Sequence, residues 1–154
     1  MIIQPSETNP ARMKDLHILL VEDNEGDILL TKEALREVSS IKDISVVRDG
    51  KEAIHFLFKT GVHSNAPLPD LVLLDINLPK VDGKVVLKTI KQDPVLRTLP
   101  VIVLTTSASE KDIIDAYTHF ANCYITKPVD YTSFMKVIKS VESFWLQTAQ
   151  LPNS

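Results

Sequence analysis

The chain reads as an α/β protein built on a doubly wound, five-stranded parallel sheet. Short apolar runs without polar alternation recur along it, notably LHILLVED (16–23), DLVLLDINLP (70–79) and LPVIVLTTS (99–107). Runs of that length and uniform apolarity mark strands covered on both faces. Segments with helical apolar spacing lie between them, and the two kinds alternate. Such alternation means right-handed βαβ crossovers around a parallel sheet with helices on both sides.

In chain order, residues 1–14 are polar, carry Pro5 and Pro10, and are expected to form a flexible arm. The first strand, 16–23, stops at Glu22-Asp23. Asn24, a good N-cap, opens a helix containing Ile28, Ala34, Leu35 and Val38. DISVVRDG (43–50) is the second strand and KEAIHFLFKTG (51–61) the second helix, with Gly61 as its expected stop. VHSNAPLP (62–69) is a loop. The third strand, 70–79, again ends at an acid, Asp75, and GKVVLKTIKQ (83–92) follows as a helix ended by Asp93-Pro94. The fourth strand, 99–107, ends in hydroxyls. SEKDIIDAYTHF (109–120) is a helix capped by Ser109, and ANCYITKP (121–128) a last strand ending in Lys-Pro. YTSFMKVIKSVESFWLQ (131–147) is a long helix with Phe134, Val137, Ile138, Val141, Phe144 and Trp145 at helical spacing.

Composition narrows the function classes. The 154 residues suit one domain, 15–147, between the arm and a short tail at 148–154. A net charge of -3 argues against direct nucleic-acid binding, which usually shows a basic footprint. No apolar run approaches the roughly 18 residues of a membrane span. The first residues have no signal-peptide core, so a cytoplasmic protein is expected. The single cysteine, Cys123, excludes an internal disulfide framework and reads as a small core hydrophobe. His17, His55, His63 and His119 show no metal spacing.

Strands of a parallel sheet share one carboxyl edge, where α/β ligand sites lie. Glu22-Asp23, Asp75, Thr105 and Lys127 all end strands and so collect there. Three converging carboxylates repel, and a hard divalent ion such as Mg²⁺, which prefers oxygen ligands, relieves them. Lys127 adds a fixed positive charge and Thr105 a hydroxyl donor. With no histidine or thiol in the set, the chemistry that fits is phosphoryl transfer onto a carboxylate. An ionised carboxylate is already a nucleophile, and aspartyl phosphates are known covalent intermediates. The remaining residues need only position and neutralise the phosphoryl oxygens.

LLVEDN (19–24), LLDINLPKVDG (73–83), VLTTS (103–107) and YITKP (124–128) together resemble the receiver domain of two-component response regulators, over about residues 15–147. The resemblance implies a flavodoxin-like (βα)5 sandwich with strand order 2-1-3-4-5. It implies that Asp75 accepts a phosphoryl group from a sensor histidine kinase. Glu22, Asp23, Asp75 and the backbone carbonyl of Asn77 would hold Mg²⁺ or Mn²⁺. Lys127 would pair with the phosphoryl group, Thr105 and Tyr124 would switch, and the Lys127–Pro128 bond would be cis. Asn77, Thr106 and Ser107 would tune phosphate lifetime, Thr106 being bulkier than the usual residue at its position. The arm, the 62–69 loop and the ending NCYITK…VIKSVESFWLQT look similar to the small response regulators paired with cyanobacterial phytochromes.

The function expected is then a stand-alone response regulator. It would catalyse only its own phosphorylation and dephosphorylation, and would signal by protein–protein contact through its α4-β5-α5 face. Phe144 and Trp145, about 100° apart on one helix, cannot both enter a narrow core seam and are candidates for a homodimer interface. Tyr124 has a competing reading as a rigid sheet-filling aromatic. A Mg²⁺-dependent aspartyl-phosphate phosphohydrolase is the alternative, though its leaving-group acid would fall at Asn77, and an amide is no general acid. A flavin carrier would need a phosphate-cradling loop where Glu22-Asp23 stands.

Overall fold

A computed structural model describes residues 16–36 and 41–152. The expected arm and Val38 lie outside the described residues. Five strands, β1 (Leu16–Val21), β2 (Ile41–Val47), β3 (Leu71–Leu74), β4 (Val101–Thr105) and β5 (Cys123–Thr126), form one sheet in the order β2-β1-β3-β4-β5. All pairings are parallel, with Val21 opposite Leu74, Leu74 opposite Val103, and Thr105 opposite Thr126. The predicted fold class and strand order are those observed.

Five helices cover the sheet: α1 (Glu25–Arg36), α2 (Gly50–Leu57), α3 (Gly83–Gln92), α4 (Glu110–Thr118) and α5 (Tyr131–Val141). Side chains of β1 alternate between two apolar layers, as a pleated strand requires. Leu19 and Val21 face α2, α3 and α4 with Phe56, Val86, Leu87, Ile90 and Ala116. Leu16, Ile18 and Leu20 face α1 and α5 with Ile28, Leu35, Phe134 and Ile138. Burying a side chain of this size is worth roughly 1.5–3 kcal/mol. The buried central strands are therefore a rigid platform for whatever their carboxyl ends carry.

Side-chain caps set where the helices begin. Asn24 Oδ1 accepts from Asp27 N at 2.9 Å, Asp82 from Lys84 N at 2.7 Å, Ser109 from Asp112 N at 3.1 Å, and Asp130 from Ser133 N at 2.9 Å. Asp49, expected within the second strand, instead caps α2 by accepting from Glu52 N at 2.7 Å. That bond ends the strand before Arg48.

The second helix is shorter than expected. It stops at Leu57, four residues ahead of Gly61, because Lys59 takes a left-handed φ of 56°. Lys59 N bonds Phe56 O, and Thr60 N reaches back to His55 O. This closure satisfies the last carbonyls and is usually given to glycine. Helix α4 ends the same way, with Phe120 at φ 67° and Ala121 N bonded to Ala116 O.

The long last helix also changes character. Beyond Val141 the chain continues in wider π-type turns over Glu142–Thr148, with Ala149 N bonded to Phe144 O at 2.7 Å. Leu146 and, past the helix, Leu151 are buried in the α1–α5 layer. Trp145 packs partly against the same layer, while Phe144 is 57% exposed and meets Trp145 edge-on at 5.5 Å.

Candidate functional site

Two strand ends meet at the point where the sheet order reverses. Asp75 N bonds Val21 O at 3.0 Å, so the residue after β3 lies beside the residue after β1. Glu22 N in turn bonds Val47 O on the other side. The loop after Asp75 folds back tightly through Lys80 at φ 65°, and Gly83 N bonds Ile76 O at 3.0 Å. A Cβ on Gly83 would lie 2.3 Å from the Asp75 carbonyl oxygen. Only glycine lets α3 start this close to the acid it follows.

Glu22, Asp23 and Asp75 each present a carboxylate oxygen, all within 4.8 Å of one another. Among the described residues they are the one acidic grouping of three close enough to hold an ion. Glu22 and Asp75 are buried and Asp23 is exposed, so the cluster is walled on the protein side and open on the other. Burial pushes the Glu22 carboxyl well above the ordinary carboxylate range, to about 7, against the lowering effect of Lys127. A pocket of hard oxygen donors in which burial disfavours charge fits a hard divalent ion. Asp23, Asp75 and Glu22 are the side chains that would hold it. A divalent ion there would draw the carboxylates together and neutralise phosphoryl oxygens.

The Lys127 side chain is 3% exposed. Its ammonium contacts Glu22 Oε1, Asp27 Oδ2 at 2.9 Å and Asp75 Oδ2 at 3.1 Å. Burial by itself would depress this lysine, but the bonds to Glu22 and Asp27 and the charge of Asp75 outweigh it and raise the ammonium above its ordinary range. Every described peptide bond is trans, so the expected cis Lys127–Pro128 bond is corrected. Backbone pairing suffices to set Lys127 at the edge: its N–H bonds Thr105 O at 2.7 Å. Trans is also the lower-energy isomer for X–Pro.

Thr105 is fully buried at the end of β4. Its hydroxyl oxygen accepts from Asn77 Nδ2 at 3.3 Å and from Ser107 N at 3.4 Å. Asn77 N also donates to Asp75 Oδ1 at 3.0 Å, so Asn77 bridges the acid and the hydroxyl. Thr106 is exposed. Half-buried Tyr124 donates through its hydroxyl to Ser107 O at 2.7 Å. Cys123 is half-buried against the α5 side of the core, and burial raises its thiol. The structure thus gathers Glu22, Asp23, Asp75, Asn77, Thr105, Ser107, Tyr124 and Lys127 at one edge. Phe144 and Trp145 belong to the C-terminal helix on the α1–α5 layer.

Residues 18–139 match the response regulator receiver domain. The chain belongs to this family. As a receiver it is 44% identical over 146 residues to the response regulator Rcp1 of Synechocystis sp., covering 95% of this chain and 97% of the relative. It is similar to the phosphorylated cyanobacterial phytochrome response regulator RcpA, with 48% identity and a TM-score of 0.87 over 89% of this chain and 98% of that one. It is also similar to the Mn²⁺-bound form of Rcp1, with 46% identity and a TM-score of 0.86 over 89% and 99% of the two chains. Receivers are not enzymes in the ordinary turnover sense. Among the described residues of this one, no helix is long and apolar enough to cross a membrane.

Two features of this receiver escaped the sequence. Asp27 joins the Lys127 cluster from the first turn of α1. An acid there reads most simply as a partner of the helix N-terminus, which hides its second role. Lys84, on α3, reaches Asp112 and Asp115 on α4. No local pattern announces that pair, since the three residues meet only when α3 and α4 pack.

Proposed function

We propose that this receiver takes a phosphoryl group onto Asp75 from a phosphohistidine of a sensor histidine kinase, and that the kinase is a phytochrome. A carboxylate oxygen of Asp75 attacks phosphorus, the P–N bond breaks, and the leaving imidazole recovers a proton. The observation that carries this reading is Lys127 held 3.1 Å from Asp75 within an acid cluster suited to Mg²⁺ or Mn²⁺. Asp23, Asp75, Glu22 and the Asn77 carbonyl would hold the ion, which would neutralise phosphoryl charge. Lys127 steadies one phosphoryl oxygen, and Thr105 donates its hydroxyl to another once it turns from Asn77. The likeness to RcpA and Rcp1 supports the phytochrome partner.

The signal leaves through the surface of α4, β5 and α5 in the cytoplasm, by contact with another protein or by homodimerisation to which exposed Phe144 and neighbouring Trp145 contribute. Tyr124 and Ser107 pass the change from Thr105 to that surface. Asn77, Thr106 and Ser107 set how long the phosphate lasts.

Labelling with acetyl phosphate or a phytochrome kinase in the presence of Mg²⁺ tests the acceptor. Wild type is expected to take up one acid-stable, base-labile phosphate, and Asp75→Asn none. Equal labelling of the two would refute Asp75, and steady turnover of a phosphomonoester would favour a hydrolase instead.

A further inference from the structure

The ammonium of a lysine has three N–H donors and no acceptor. In this structure all three have a carboxylate: Glu22, Asp75 and Asp27. The first two belong to the site already described. Asp27 comes from another element, and its side chain is 24% exposed against 8% for Asp75. Its place is well determined. Asn24 Oδ1 accepts from the Asp27 backbone N–H at 2.9 Å, and Asn24 N bonds Glu22 Oε2 at 3.2 Å. The first turn of α1 is thereby tied to the end of β1. Glu25, two residues earlier, turns away to Arg48 at 2.6 Å, leaving Asp27 as the α1 acid that faces the pocket.

We propose that Asp27 is a positioning residue for Lys127: it holds one N–H on the α1 side so that another stays aimed at Asp75 and its phosphoryl group. This rests on Asp75 being the acceptor. When Asp75 is phosphorylated its carboxylate no longer offers the same oxygen, and when Glu22 turns to a metal its bond is weakened. Asp27 comes from α1 and belongs to neither the acceptor nor the acid trio, so it alone keeps its hold throughout. Without it the long lysine side chain recovers rotamer freedom, and the donor spends less time in line with the transferring group.

The positioning role and a simple charge effect predict opposite kinetics. Removing one negative charge beside an anionic donor, and nothing else, would tighten apparent binding of acetyl phosphate and speed labelling. Loss of positioning lowers the saturating rate instead. For Asp27→Ala we expect a fall of about tenfold in the saturating labelling rate, the loss of one charge-assisted hydrogen bond. The half-saturating acetyl phosphate concentration should change little. Asp27→Asn, which keeps an acceptor oxygen in nearly the same shape, should retain part of the rate.

A second readout needs no phosphate. The Lys127 ¹⁵Nζ signal, assigned by its disappearance in Lys127→Arg, should show slow proton exchange in wild type, faster exchange in Asp27→Asn and faster still in Asp27→Ala. Unchanged exchange with an unchanged or faster labelling rate in Asp27→Ala overturns the proposal. Failure of the wild type to take up phosphate would defeat both this role and the acceptor reading. Failure of the Asp27 variants to differ from wild type would defeat this role alone.

Discussion

The Tyr124 hydroxyl donates to the Ser107 carbonyl across 2.7 Å, tying β5 to the loop between β4 and α4. Ser107 is in turn joined on both sides. Its N–H bonds Thr105 Oγ1 at 3.4 Å, and its hydroxyl donates to Asp112 Oδ2 at 2.5 Å. A change at buried Thr105 therefore has a bonded path through one residue to both β5 and α4.

Tyr124→Phe keeps the ring against the core and removes only the hydroxyl. The Ser107 carbonyl lies at a half-buried site and can turn to water, so a loss of about 1 kcal/mol is expected. Asp75 labelling should persist, because the phenol does not touch the acid pocket. Urea unfolding and labelling measured side by side check both parts. A labelling defect as large as that of Asp75→Asn would place Tyr124 in the chemistry instead.

Lys84 binds Asp112 and Asp115 at 3.0 Å or closer, joining α3 to α4. The Lys84 ammonium beside Asp112, with the Ser107 hydroxyl, holds that carboxyl down at about 2. A depressed acid contributes stability above its unfolded value, near 4, and that contribution fades as pH falls toward about 2. These side chains are partly solvated, so solvent screening limits the effect to about 1 kcal/mol or less. Lys84→Met should lower Tm at pH 5, and the gap to wild type should narrow as pH falls toward 2. Curves that stay parallel over that range would show that the pair contributes nothing through charge.

Glu22 has the opposite sign. Its carboxyl is raised to about 7, chiefly by burial. A raised acid favours folding below its unfolded value, near 4.5, and that advantage is lost as pH climbs through about 7. Without divalent cations, wild type should lose Tm between pH 5 and pH 7.5, and Glu22→Gln should lose less. Mg²⁺ favours the ionised carboxylates and should restore Tm at pH 7.5, by about 2.7 kcal/mol in stability at a hundredfold excess over Kd. Thermal melts with EDTA or Mg²⁺ read this directly; a Mg²⁺ response in wild type no larger than in an Asp23→Asn, Asp75→Asn double variant would speak against the ion site.

Much of this receiver could be read from local pattern. LHILLVED, DLVLLDINLP and LPVIVLTTS announced buried strands because a strand covered on both faces needs no alternation. Asn24, Ser109 and the helical spacing within each following segment marked the helices. The misread ends share a cause. Lys59 and Phe120 hold left-handed turns usually given to glycine, and Asp49 ends its strand by capping the next helix, so local closures set those boundaries where hydrophobic pattern does not mark them.

The site divides along the same line. Glu22, Asp23, Asp75, Thr105 and Lys127 were found because each ends an apolar run, and in a parallel sheet every strand end lies on one edge. That much the sequence determines by itself, since periodicity and strand direction are local properties of the chain. Which end lies beside which was decided by the strand order and its reversal between β1 and β3. Lys127 meets Glu22, Asp27 and Asp75 over separations of 105, 100 and 52 residues. Ion pairs closed over such distances leave no periodic trace in the residues between, so Asp27 and the Lys84–Asp112 pair became visible only once the helices were packed onto the sheet.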